Sequence, residues 1–266
     1  MLGKLGKKLQ GKTIVVYGAS SNIGRKFTQE AAKRGALVIA FARNTSKIPS
    51  FSRGQISGSI EILKGDITRK SDVRKALTGR KVYATINFAV DFSPDLAKAR
   101  KVNVKGERNI LEESVRRDVK RHIFISTVAT QTPKSNAYRD SKLEAEEEVK
   151  KFGNTHHLDW IILRYANVLG SQTWDQPFKV IFPFLRIGIP KIPTDSKTSP
   201  FYFVTIETVL DATMAAIEAK PNQMITVLDG KITIGEYLSI MEKVHHVRVS
   251  FLPSKPVRLL AKYFGI

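Results

Sequence analysis

The sequence predicts an α/β fold, a doubly wound parallel sheet covered by helices on both faces, followed by a smaller and less regular C-terminal region. Two observations carry this expectation. Short β-branched runs alternate with stretches of helical period through residues 1–170, which implies a parallel sheet covered on both faces. A glycine-bounded turn, Gly18 to Gly24, joins the first such run to the first helical stretch. The division expected is 1–170 for the sheet domain and 171–266 for the C-terminal region, part of which returns to the main body.

The elements follow in order. Thr13–Tyr17 is the first strand, Ile23–Arg34 a helix stopped by Gly35, and Ala36–Phe41 the second strand. Ile60–Leu63 is a short strand, and Ser71 is placed to cap a helix ending at Leu77. Val82–Phe88 is a strand, Asp95–Arg117 one long helix, His122–Ile125 a strand, Tyr138–Phe152 a helix and Trp160–Arg164 a strand. Ser171–Pro200 is rich in proline and shows no clean period, which fits an irregular segment beside a ligand. Ile206–Ala219 then has helical character and Met224–Leu228 strand character. Thr233 with Glu236 three residues on forms a capping box for a helix to Val244, and Pro256–Ile266 is a short basic-apolar helix.

Composition narrows the function classes. With 42% apolar and 26% charged residues in 266, the chain can bury a large core. It has no cysteine, which excludes disulfides, thiolate catalysis and cysteine-based metal sites. Of five histidines, four form the adjacent pairs His156-His157 and His245-His246. Neither pair has metal-ligand spacing on a helix face, so no metal is expected. Lys and Arg total 44 against 24 acids, a formal charge of +20 that attracts anions. No apolar run is long enough for a membrane helix, and Met1–Lys12 has no signal-peptide core. The expected location is the cytoplasm or an organelle matrix, with peripheral membrane attachment left open, and not secretion.

The glycine turn points to chemistry. Strand, tight turn and helix is the opening of a Rossmann-type domain, where a dinucleotide pyrophosphate rests on a helix N-terminus. Here it is Gly18-Ala19-Ser20-Ser21-Asn22-Ile23-Gly24. Gly18 supplies the turn and Gly24 lets the helix pack on the sheet. The middle glycine is replaced by Ser21 or Asn22, and an asparagine can stand in by accepting left-handed φ. After the second strand comes Arg43, with Lys47 beyond and no acid between. An acid there would hold the ribose hydroxyls of NAD, whereas an arginine pairs with a 2′-phosphate, so NADP(H) is expected over NAD(H).

At this point the residues resemble the short-chain dehydrogenase/reductase superfamily, in its extended or atypical branch of NAD(P)-dependent epimerase/dehydratase type. Gly65-Asp66-Ile67 is similar to its adenine-contacting turn, and Asn87-Phe88-Ala89-Val90 to its strand end beside the cofactor. Val102-Asn103-Val104-Lys105-Gly106, Phe124-Ile125-Ser126-Thr127 and Leu163–Gly170 are similar to further stretches of that branch, as is Asp229-Gly230 with Thr233 and Glu236. Tyr138-Arg139-Asp140-Ser141-Lys142 matches its central motif, at the head of a helix and one segment after a strand ending in hydroxyls. Residues four apart share a helix face, so Tyr138 and Lys142 point into one cleft, and a nearby ammonium favours the phenolate. The resemblance implies that Tyr138 passes a proton to or from a carbinol while hydride moves to or from the nicotinamide. It further implies that Lys142 holds the nicotinamide ribose, that Thr127, or else Ser126, holds the substrate oxygen, and that Asn103 supports the site. It places the cofactor on Gly18, Ser20, Ser21, Asn22, Ile23, Gly24, Arg43, Asp66, Ile67, Phe88, Ala89 and Lys142.

The substrate expected is a carbonyl compound or a sugar nucleotide. The C-terminal region is short for a full sugar-nucleotide pocket, although Asn167 matches that pattern. Another class is similar to the complex I accessory-subunit type, in which NADPH is structural. The +20 charge and the basic-apolar ends Met1–Lys12 and Lys255–Ile266 would then dock to acidic subunits or a membrane surface. Nucleic acid ranks last, because no aromatic-interleaved basic motif is present.

Overall fold

The computed structural model describes residues 9–48, 57–170, 192–193, 197–245 and 251–252. In chain order these form β1 (Thr13–Tyr17), α1 (Asn22–Lys33), β2 (Leu37–Ala42), β3 (Ser59–Lys64), α2 (Lys70–Leu77), β4 (Val82–Asn87), α3 (Leu96–Arg100) and α4 (Glu107–Arg116). There follow β5 (Arg121–Thr127), α5 (Ala137–His156), β6 (Asp159–Tyr165), β7 (Asn167–Leu169), β8 (Ile192–Pro193), β9 (Pro200–Thr205) and α6 (Ile206–Ala216). The last are β10 (Gln223–Val227), β11 (Gly230–Thr233), α7 (Ile234–His245) and β12 (Phe251–Leu252).

Two compact units result. The described residues to Ala166 together with Glu207–Val227 form one, and those of Asn167–Ile206 and from Leu228 onward form the other. The first is the expected α/β body. Its seven strands run parallel in the order β10-β6-β5-β4-β1-β2-β3. The apolar runs without alternation explain the centre of this sheet: Ile14, Val15, Val16 and Tyr17 of β1 are fully buried, so both faces are covered. β3, all of whose residues are exposed or half-buried, is the edge strand on one side. On one face Val15, Tyr17, Ile39 and Phe41 pack with Val73, Leu77 and Ile110, and beside them Leu111, Phe124, Val149, Trp160 and Ile162 form a second apolar cluster. Chain order reverses between β1 and β4, and in such sheets the crevice outside the strand C-termini at that point receives the ligand.

Two local expectations change, and others fall outside the described residues. Ser71 does not cap α2, which opens at Lys70 with Arg69 in the cap position and no side-chain bond. The helix expected over 95–117 is capped by Asp95, whose side chain accepts from the Ala97 and Lys98 amides, but a π turn at Lys101–Gly106 divides it. Within Ser171–Pro200, β8 and the start of β9 are described, and Ser171–Lys191 lies outside the described residues, as does the helix expected over Pro256–Ile266.

In the second unit, β9 lies between β11, antiparallel, and β7, parallel. Tyr237, Leu238 and Met241 of α7 pack on Leu169, Phe201 and Ile232, with Phe201 and Tyr237 stacked at 4.3 Å. The capping box is present: the Glu236 amide donates to Thr233 Oγ1 at 3.1 Å, and the Thr233 amide to Glu236 Oε2 at 2.7 Å. No helix among the described residues is long and apolar enough to cross a membrane, and no cluster of acids and histidines there could hold a metal ion.

Candidate active site

The turn after β1 is shaped by close approach. Gly18 has φ +72°, and a Cβ there would lie 2.4 Å from the Ala89 amide nitrogen and 2.7 Å from the Phe88 carbonyl carbon, at the end of β4. A Cβ on Gly24 would lie 2.3 Å from the Gly18 carbonyl oxygen. Any larger residue at either place would force the crevice apart. Ser21 caps α1, its hydroxyl accepting from the Gly24 amide at 3.0 Å. Asn22 does not replace the missing glycine by left-handed backbone: it is the first residue of α1, and the described non-glycine residues with positive φ are Asp118, His157 and Asn222. Its Oδ1 instead accepts from Arg25 Nη2 at 2.8 Å. Ser20, Ser21, Asn22 and Ile23 are all partly exposed around an α1 terminus that has no acid in its first turn. Such a terminus favours an anion, because its first amides have no intrahelical acceptor. A cradle that a Cβ would fill, beside that terminus, fits a dinucleotide pyrophosphate.

The far end of the crevice holds Arg43 and Asp66. Arg43 is exposed just past β2. Burial pushes the Asp66 carboxyl up. The Thr68 amide and hydroxyl, together with the Arg43 and Arg69 guanidiniums, outweigh it and hold the group below the usual carboxylate range. Arg43 and Asp66 thus share one electrostatic neighbourhood. Ile67 is buried and its carbonyl accepts from Asn109 Nδ2 at 2.8 Å. Phe88 is buried against Phe27, with centroids 5.3 Å apart, and the Ala89 amide donates to Asn87 Oδ1 at 2.8 Å.

The hydroxyl-bearing residues meet at the C-terminal end of β5. Asn136 caps α5 and sets Tyr138 in its first turn. Burial pushes the Tyr138 phenol up to about 12, opposed by a hydrogen bond with Thr127. Thr127 also accepts from the Ala129 amide at 3.2 Å. Ser126 points elsewhere, donating to Glu146 Oε1 at 2.5 Å, so Thr127 is the hydroxyl beside the tyrosine.

Lys142 is buried one turn along α5. Its Nζ donates to the Ile125 carbonyl at 2.5 Å and lies 3.8 Å from the centre of the Phe124 ring. Burial lowers this amine to about 8, against the raising influence of Glu107 and Glu146. The expected lowering of the phenol by Lys142 is not what the structure shows, since the phenol is raised and the lysine is engaged with the strand. Asn103, inside the π turn, accepts from the Asp91 amide at 2.8 Å and donates to the Asp91 carbonyl and to Ser141 Oγ, each at 2.9 Å. It ties the loop after β4 to the first turns of α5.

Sequence reasoning missed the role of Glu146. It is fully buried, accepts from Arg164 Nε at 2.9 Å and also from Ser126 and Thr130. The signal was available, because Tyr138, Lys142 and Glu146 recur every four residues on one face of α5.

Comparison with known proteins places the fold in a family. The model of the NAD dependent epimerase/dehydratase family matches residues 14–224. An uncharacterized protein of Sinorhizobium fredii is 26% identical over 94% of this chain and 65% of its own length. The capsular polysaccharide biosynthesis protein CapD of Staphylococcus aureus is 23% identical over 63% of this chain and 30% of its own. The chain therefore spans less than two-thirds of the length of these curated relatives. Among solved structures, an epimerase from Methanothermobacter thermautotrophicus superposes with a TM-score of 0.80 at 20% identity, covering 95% of this chain and 83% of that one. A UDP-N-acetylglucosamine 4-epimerase from Methanobrevibacter ruminantium, solved with UDP-N-acetylmuramic acid, gives 0.75 at 20% identity, covering 93% and 87%. The Bordetella bronchiseptica enzyme WbmG, solved with NAD, gives 0.72 at 17% identity, covering 92% or more of this chain and 81% or more of that one.

Proposed function

Because the chain belongs to the NAD-dependent epimerase/dehydratase family, we propose that it is a nicotinamide-dinucleotide-dependent oxidoreductase or epimerase in which Tyr138 moves the proton. The observation that carries this is the Thr127–Tyr138 hydroxyl pair at the end of β5, one helical turn from a buried Lys142. When bound, the dinucleotide supplies hydride exchange at its nicotinamide ring. The chain's own residues supply the rest. With its phenol up at about 12, Tyr138 is protonated at neutral pH and begins as the acid, giving its proton to a carbonyl oxygen in the reductive direction. Thr127 offers a second hydroxyl to the same oxygen. Lys142 spends one hydrogen on Ile125 and has others for ribose hydroxyls.

NADP(H) is the preferred form in this proposal, on the strength of Arg43 and the absence of any acid from residue 43 to residue 48. A sugar nucleotide is the first substrate class to test, since solved relatives are epimerases of UDP-sugars. A simpler carbonyl compound is the second.

The experiment is a titration of the unaltered protein and of Tyr138→Phe with NADPH and NADH, followed by nicotinamide fluorescence. Turnover is then scored on UDP-sugars and carbonyl compounds, with sugar products separated by chromatography. NADPH should bind more tightly than NADH, and Tyr138→Phe should bind it equally while losing turnover by about a hundredfold or more. Binding without turnover on any substrate would transfer the assignment to a structural nucleotide in an accessory subunit. No binding would end the proposal.

A further inference from the structure

Behind the site lies a buried polar chain that the proposed chemistry does not use. His122 of β5, Thr85 and Asn87 of β4 and Glu107 of α4 are each 1% exposed or less. His122 Nδ1 and Thr85 Oγ1 are 2.9 Å apart. His122 Nε2 lies 2.5 Å from Glu107 Oε1, in a contact outside hydrogen-bond geometry. The other carboxylate oxygen of Glu107 accepts from Asn87 Nδ2. This bond fixes which way the Asn87 carboxamide faces, so that its Oδ1 meets the Ala89 amide at 2.8 Å. Ala89 is the backbone against which Gly18 packs with no room for a Cβ. A carboxylate with no access to solvent is costly unless its surroundings use the charge.

Resting on the nucleotide-dependent chemistry proposed above, we infer that Glu107 is a positioning residue of the dinucleotide site, acting through Asn87 on the Ala89 amide. The route is the chain of contacts just given: Glu107 holds the Asn87 carboxamide, and Asn87 Oδ1 holds the Ala89 amide beside Gly18.

NADPH affinity tests this, measured on the unaltered chain, Glu107→Gln, Asn87→Asp and the double variant. Glu107→Gln retains an acceptor for Asn87 but removes the charge and turns an amide nitrogen toward His122. It should bind about tenfold more weakly. Asn87→Asp faces two carboxylates and should bind worst. Adding Glu107→Gln to it exchanges donor and acceptor across the pair and should recover most of the affinity, a rescue that also decides the matter if Glu107→Gln alone folds poorly. Unchanged affinity in folded Glu107→Gln, or a folded double variant without recovery, overturns the inference and leaves the proposed function standing. Failure of the unaltered chain to bind NADPH overturns both.

Discussion

At the scale of single residues, a buried lysine one helical turn along from Tyr138 makes the fold itself sensitive to pH. Lys142 titrates near 8 in the folded chain and near 10.5 when exposed. Below about pH 8 both states hold the proton, and burial of the charge costs its full amount. Between about 8 and 10.5 the unfolded chain holds a proton that the folded chain has released, so stability rises with pH; above that range the cost is gone. The expected gain is about 3 kcal/mol. Urea unfolding of the unaltered chain and Lys142→Met across this range checks it: the difference between them should shrink as pH rises, and a constant difference refutes the assignment. Tyr138, Lys142 and Thr127 were legible in one dimension, because a spacing of four on a helix and a hydroxyl at a strand end are sequence patterns. Glu107 and His122 were not, since they come from α4 and β5 and meet Asn87 of β4 only because β4 and β5 are neighbours in the sheet.

At the scale of elements, the interrupted helix after β4 matters most. The period of 95–117 reads as one helix, although Val102, Asn103, Val104 and Gly106 are weak helix formers. The structure puts a π turn at Lys101–Gly106, among tertiary contacts that the period does not carry. Asn103 and Glu107, four apart, are both buried, one bound to the Asp91 loop and Ser141, the other to Asn87. Asn103→Leu retains the volume and deletes three hydrogen bonds, leaving the Asp91 backbone and Ser141 without their partner. It should lower unfolding stability by about 3 kcal/mol, and amide exchange at Asp91 should quicken. A loss within a few tenths of a kcal/mol would show that the turn holds without its asparagine. The same tertiary reasoning explains the strands that periodicity did not disclose. β7, β9 and β11 are three to six residues long, and β9 starts at a proline. They are strands because they pair with one another under α7, and no single run among them announces it.

At the scale of the whole molecule, 44 cations face 24 anions, and the question is which electrostatic effect dominates the fold. The acids are heavily used: Glu144 pairs with Arg100, Glu148 with Arg108, Glu61 with Arg80, Glu112 with Lys70 and Asp211 with Arg34. Exposed pairs of this kind contribute little each and are screened by salt. The unmatched cations repel one another over the whole surface, and salt screens that too, with a Debye length of about 10 Å at about 0.1 M. Twenty uncompensated charges acting together should outweigh a handful of weak pairs, while the half-buried Arg164 and the buried Glu146 form a pair more shielded from added ions. The melting temperature should therefore rise between low salt and about 0.3 M sodium chloride. Dinucleotide affinity should fall over the same interval, because the field that burdens the fold is the one that attracts an anionic ligand. Differential scanning calorimetry and NADPH titration at matched salt separate the two. A melting temperature that falls with salt would mean that the surface pairs, and not the excess charge, govern stability, and an affinity indifferent to salt would mean that phosphate contacts contribute little to binding.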